Sequence, residues 1–303
     1  MRTILAISTA ILLAGCTGEL PVDESEAAVN GGDLRPNGQG FLTRNANGDA
    51  SRSKPAGGAN GINYHGGPVM LGTVNVYYIW YGSWSSGSQA ILTNFISNLG
   101  GWSYEHINTT YFDGTNTHVS GSIHYGGSTT DNYSVGTSLS DAQILGVVSS
   151  AITSNRLPKD TNGLYFVLTS SDVTASSGFC TQYCGWHNHG TVSGSDIKYA
   201  FVGNPDRCPS ACKAQTTSPN GDAGADGMAS IIAHESEEAI SDPDLNAWYD
   251  RRGNENADKC AWTFGTESTA SNGSKYNVTL GGASYLIQQN WVNASGGYCA
   301  MSY

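Results

Sequence analysis

The chain has 303 residues, of which only 13% are charged, with 39 glycines, 16 tyrosines and 7 tryptophans. Its 39% hydrophobic content is ample for a core at this length, so disorder of the whole chain is excluded. A net charge of −11 with only 14 Lys and Arg excludes the basic face that binding to phosphate needs, and with it a nucleic-acid partner.

Residues 1–16 read as an export signal. Met1-Arg2 supplies positive charge, and Ile4 to Ala14 is an apolar run too short to persist as a membrane span. The run ends in Leu13-Ala14-Gly15-Cys16, which resembles the bacterial lipobox. Cys16 is therefore expected to carry lipid, and the membrane contact to run through that anchor alone. An ordinary secretory signal with an incidental cysteine is the other reading. Residues 17–66, rich in Gly, Asn, Ser, Asp and Pro, are expected to be a flexible tether, leaving 67–303 as the folded domain.

Within that domain Thr73 to Tyr81 is β-branched and aromatic, hence a strand. Ser86-x-x-Gln89 predicts a capped helix with Ile91, Leu92, Phe95, Ile96 and Leu99 inward. His118 to Tyr125 predicts a short strand, and Ser140-x-x-Gln143 caps a second helix. Leu164 to Leu168 and Ile197 to Val202 are further strands, a third helix runs from about Gly227 to Ser241, and Tyr276–Leu280 and Tyr285–Trp291 are late strands. The order predicts one mixed-sheet α/β domain. Six cysteines remain after Cys16: Cys180, Cys184, Cys208, Cys212, Cys260 and Cys299. Their even number in an exported chain implies three disulfides, with pairing left open; a structural metal held by the two C-x3-C pairs is the competing use.

The chemistry concentrates on the third helix, where His234-Glu235-Ser236-Glu237-Glu238 reads H-E-x-x-E. His234 and Glu238 fall one turn apart on one face, so both reach a single cation. Glu235 takes the position that the general base holds in H-E-x-x-H hydrolases. An acidic helix turn with an incidental histidine is the plainer alternative. Asn254-Glu255-Asn256-Ala257-Asp258 resembles the downstream segment of thermolysin-like enzymes, with Glu255 as third ligand and Asp258 orienting the first histidine; Asp258 and Asp244 are the next candidates for the third ligand, and Asp242 is a weaker one. The expected ion is Zn²⁺, although so oxygen-rich a shell accepts Mn²⁺ or Ca²⁺ more readily than one with two histidines. Asn220 to Gly227 reads either as a faint calcium loop or as a glycine turn before the helix, and the turn is preferred. Trp186, His187 and His189 follow Cys184, with His187 the better placed of the two histidines to line a site.

Several motifs resemble the phosphate-induced, Exordium-like family of plant cell walls. They are Ile79-Trp80-Tyr81-Gly82, Gly178-Phe179-Cys180, Cys184-Gly185-Trp186-His187, Phe201-Val202-Gly203-Asn204 with Cys208-Pro209, and Pro219-Asn220-Gly221-Asp222. The H-E-x-x-E helix running into Asn246-Ala247-Trp248-Tyr249 and Glu255-x-x-Asp258-x-Cys260 extends the match, which spans about 77 to 299. Where that family commonly has Asn before the proline of the helix exit, this chain has Asp242. The resemblance implies a secreted protein tied to cell-wall growth signalling, without a settled biochemical activity. The order of helices and the H-E-x-x-E placement also look zincin-like. Two functions follow as expectations: a peptidase-like, metal-dependent hydrolase at the cell surface, or a non-catalytic surface protein that contacts cell-wall glycan through exposed Trp and Tyr.

Overall fold

Eight elements form the central sheet and the long helices packed on it: β1 (Val74–Tyr81), α1 (Ser86–Leu99), β2 (Ile123–Asp131), α2 (Asp141–Thr153), β3 (Gly163–Thr169), β4 (Gly185–Val192), β5 (Ser195–Val202) and α3 (Ala223–Ser241). The computed structural model describes residues 40–44 and 61–303, which lie in one compact unit. The export signal, Cys16 and most of the expected tether lie outside the described residues. Among the described residues no helix is long and apolar enough to cross a membrane.

The five strands order as β2-β1-β3-β5-β4. The first four run parallel, and β4 closes one edge antiparallel to β5. Strands β1 and β3 are buried along nearly their whole length, as central parallel strands covered on both faces must be. Helix α3 lies over β4 and β5 and against α1, while α2 packs on β3 and β5. Gly185 lets α3 come that close: a Cβ there would lie 2.5 Å from Ile231 Cγ2 and 3.1 Å from Glu235 Oε1. The helix that carries the H-E-x-x-E turn is thus pressed directly onto the edge strand.

Several boundaries differ from the sequence expectation. Helix α1 is capped by Ser85, whose side chain accepts the Ser88 N–H, one residue before the expected box. Strand β2 begins at Ile123 rather than His118, because Gly121 turns the chain with φ +65° just before it. Helix α3 starts at Ala223, four residues early, with Asp222 accepting the Ala225 N–H as its cap. That cap, with Asp226 buried in the first turn, realises the preferred turn reading of 220–227. The α2 box stands as expected, with Ser140 and Gln143 bonding each other's backbone N–H.

All six cysteines form disulfides, Cys180–Cys208, Cys184–Cys212 and Cys260–Cys299, so the C-x3-C metal alternative is replaced by two parallel cross-links. The third closes a separation of 39 residues and holds the 258–260 turn, next to the buried carboxylates. Replacing both Cys260 and Cys299 by Ser is expected to cost about 2–4 kcal/mol, roughly 5–12 °C of Tm for a domain of this size. A thermal melt with unchanged Tm contradicts that role.

Candidate metal centre

Helix α3 is buried on almost every side, an unusual setting for four carboxylates and a histidine in one stretch. His234, Glu235 and Glu238 are all fully buried, and so is His187, which β4 delivers from the facing edge of the sheet. Glu255 is nearly as buried, at 2% exposure, and reaches the group from the loop beyond Trp248–Tyr249.

The two histidines meet the carboxylates at short range. His187 Nδ1 lies 3.6 Å from Glu235 Oε2 and 3.7 Å from Glu238 Oε2. His234 Nε2 lies 3.0 Å from Glu238 Oε1 and 3.7 Å from Asp258 Oδ1. Separations near 3.5 Å are those of neighbouring atoms that share a cation with bonds of about 2.0–2.2 Å. Four of these atoms are buried without a hydrogen-bond partner: His187 Nδ1, His234 Nε2, Glu235 Oε2 and Glu238 Oε2. One orphaned polar atom already costs about 1–3 kcal/mol, so four in one place call for a shared partner.

The other atoms of the same groups are satisfied, which fixes their direction. Glu238 Oε1 accepts the Asp258 N–H at 3.0 Å, and Glu235 Oε1 accepts the Phe41 N–H at 3.1 Å. His187 Nε2 donates to the Asp242 carbonyl at 3.3 Å, leaving the Nδ1 lone pair facing the two glutamates. His234 is held differently. The Gln288 amide accepts the Trp262 N–H through Oε1 and donates through Nε2 to the Ala257 carbonyl, so it presents an N–H to His234 Nδ1 at 3.1 Å. A cation on His234 Nε2 requires the ring proton on Nδ1 and the Gln288 amide turned over. His187 is the donor whose tautomer is already set.

Electrostatics agree. The ion-pair partners of Glu235, Glu238 and Glu255 are these two histidines. Burial pushes Glu235 up to about 8, and burial with neighbouring carboxylates pushes Glu238 and Glu255 well above the usual range. Burial also lowers His187. Among the described residues these carboxylates outnumber the cations they pair with, which is a condition a divalent cation relieves.

The sequence-predicted residues divide as follows. His234, Glu235, Glu238 and Asp258 converge. Glu255 sits behind His187, with Oε1 3.5 Å from Nε2, the nitrogen turned away from the glutamates. The nitrogen behind His234 is held by Gln288 rather than Asp258. Asp244 is drawn to Lys198, in an exposed cluster with His189 and Asp196. Asp242 takes the N–H groups of Asn246 and Ala247, both at 2.6 Å, at the helix exit. Gln288 carried no signal in the sequence, and His187 only its place after a Cys-Gly-Trp run.

On the far side of α3, Glu237 meets Glu105, both fully buried. Burial raises Glu105 to about 8, and burial with Glu105 beside it raises Glu237 well above the usual range. The folded state therefore holds protons that the unfolded chain releases above about pH 4.5, so stability falls as pH rises from there through 8. Glu105→Gln is expected to flatten that slope and raise Tm at pH 8 by roughly 3–6 °C, with little effect near pH 4.5. Parallel Tm–pH curves for the two proteins contradict the pairing.

The architecture and centre define a disulfide-bonded mixed α/β protein with a buried His/Glu cluster on one helix. The chain belongs to the phosphate-induced protein 1 family, whose conserved region matches residues 62–294. It is similar to "Protein EXORDIUM-like 3" of Arabidopsis thaliana, 34% identical over 270 residues, covering 76% of this chain and 80% of that protein. "Protein EXORDIUM-like 5" of the same plant is 31% identical over 275 residues, covering 76% and 75%. "Protein PHOSPHATE-INDUCED 1" of Nicotiana tabacum is 28% identical over 219 residues, covering 62% and 67%. No solved structure matches, so the zincin likeness finds no structural neighbour. The three disulfides are consistent with an extracellular or secreted protein.

Proposed function

We propose that this is an exported, lipid-anchored protein with a divalent-metal centre on α3 and a peptidase-like hydrolytic activity at the cell surface. The observation that carries the reading is the convergence of four buried, unpartnered donor atoms from β4 and α3. Two overlapping donor sets, His187 with Glu235 and Glu238 and His234 with Glu238 and Asp258, share Glu238, and the ion would draw His187, His234 and Glu238 together on itself. Two imidazoles among the donors favour Zn²⁺ over Ca²⁺. When bound, such an ion acts as a Lewis acid toward a carbonyl oxygen and lowers the pKa of water. Glu235 would be the base: its Oε1 already contacts a peptide N–H, the group that must take up a proton when an amide bond is cleaved. Anchoring would run through Cys16, and Cys16→Ser should move the protein out of the detergent-soluble membrane fraction.

The second reading, a structural metal in a non-catalytic surface protein, is favoured by one observation. The donors are buried, and residues 40–44 lie across them. Contact with glycan through exposed aromatics has less support: among the described residues, the exposed large hydrophobic side chains are Tyr298 and Tyr303, and Trp186 and Trp248 are core. Metal analysis separates a centre from an accident of packing. About one equivalent of zinc is expected in the intact protein and much less in His187→Ala and His234→Ala. Equal zinc in all three rejects the centre.

A further inference from the structure

Residues 40–44 fall in the stretch whose composition reads as tether, yet they are seated in the domain like a bound peptide. Phe41 is 2% exposed, with its ring edge-on to His234 and Trp262 at 4.9 and 4.8 Å. Leu42 pairs antiparallel with Tyr183 in an isolated bridge, two residues before the edge strand β4. Thr43 N–H donates to Gln182 O at 3.1 Å, and Cys184 N–H to Phe41 O at 2.6 Å. Trp262 Nε1–H donates to Leu42 O, and Arg44 lies over the same indole. This is short antiparallel pairing with the 182–184 segment that leads into the edge strand, and it resembles the way an extended peptide is held, with backbone bonds for affinity and a side-chain pocket for choice.

The segment is also placed at the metal donors. A Cβ on Gly40 would lie 2.4 Å from Glu238 Oε2, 3.0 Å from Glu235 Oε2 and 3.1 Å from His234 Nε2, all three of them orphaned atoms. Any side chain there would have to push these groups aside. The next peptide nitrogen, that of Phe41, donates to Glu235. The Gly40–Phe41 bond therefore runs past both the donor cluster and the proposed base.

We infer that residues 40–44 are a peptide ligand the chain holds across its own metal centre, and that the site takes extended peptides with glycine at the donors followed by a large aromatic residue. The segment closes the site to other peptides until it leaves. Because it is part of the same chain, its effective concentration is of millimolar order, enough to exclude a free copy of itself. This inference rests on reading the centre as a peptide site, and the experiment below separates the two.

The probe is a fluorescent peptide copying residues 38–46, with a second copy carrying Asp in place of Phe41. The protein is the zinc-loaded full chain with a site-specific protease sequence inserted after Gly48, assayed before and after cutting, alongside an uncut Phe41→Asp chain. The peptide is expected to bind the cut chain and the Phe41→Asp chain at least about tenfold tighter than the intact chain, and the Asp copy to bind none of them. Equal binding to cut and intact chains, or binding to neither, overturns the inference even if Phe41→Asp misfolds. Binding with no cleavage of the peptide supports the inference and contradicts hydrolysis.

Discussion

Saturating the metal-free protein with zinc is expected to raise its Tm by about 5–10 °C. Ligand at a hundredfold excess over Kd contributes about 2.7 kcal/mol, and each kcal/mol moves Tm about 2–4 °C for a domain of this size. The source of the gain is visible at the centre. His187 Nδ1, His234 Nε2, Glu235 Oε2 and Glu238 Oε2 are buried without hydrogen-bond partners, and the ion pairs of Glu235 and Glu238 among the described residues are with the two imidazoles. Glu238 and Glu255 are held toward their protonated forms, so loading must release protons and must weaken as pH falls. His187→Ala should abolish the zinc-dependent rise and leave a metal-free melt near the parent's. A shift of the same size in His187→Ala places the ion elsewhere.

The second large effect is chemical. Glu235→Gln should retain zinc while lowering hydrolysis of a glycine–phenylalanine peptide by about 10²–10⁴-fold, the range a positioned proton-transfer group supplies. Gln keeps an oxygen for the Phe41 N–H that Glu235 now accepts, so seating of the 40–44 segment should survive. The chain must be cut as above before this assay, since the intact site is covered. Zinc retained with unchanged hydrolysis removes Glu235 from the chemistry, and zinc lost makes it a ligand instead.

Local signals made much of the fold legible. The α2 box was readable because Ser140 and Gln143 satisfy each other's backbone, and β1 and β3 because a central parallel strand is apolar on both faces. Glycine misled where it serves packing rather than turning. Gly224 and Gly227 delayed the expected start of α3, but a Cβ on them would meet Asn204 Oδ1 at 2.5 Å and Pro205 at 2.8 Å, so they admit the 205–207 turn against the helix. Strand β4 was hidden because His187-Asn188-His189-Gly190 carries no apolar alternation; it is an edge strand whose inward histidine faces a polar centre rather than a core. Helical spacing alone brought His234, Glu235 and Glu238 together, while His187 and Gln288 arrive through tertiary pairing that no spacing encodes. Residues 40–44 show the same limit from the other side, since composition marks a tether and only the cleft pairs part of it with the domain.

The central claim is that His187 from β4 and His234 and Glu238 from α3 share one ion. A crystal of the zinc-loaded protein, measured at the zinc absorption edge, tests this most directly. The account predicts one strong anomalous peak about 2.0–2.2 Å from His187 Nδ1, His234 Nε2 and a Glu238 oxygen, with the Gln288 amide turned so that its oxygen accepts the His234 Nδ1–H. A peak only at the exposed His189, Asp196 and Asp244 cluster, or no peak in α3's vicinity at full zinc loading, contradicts it.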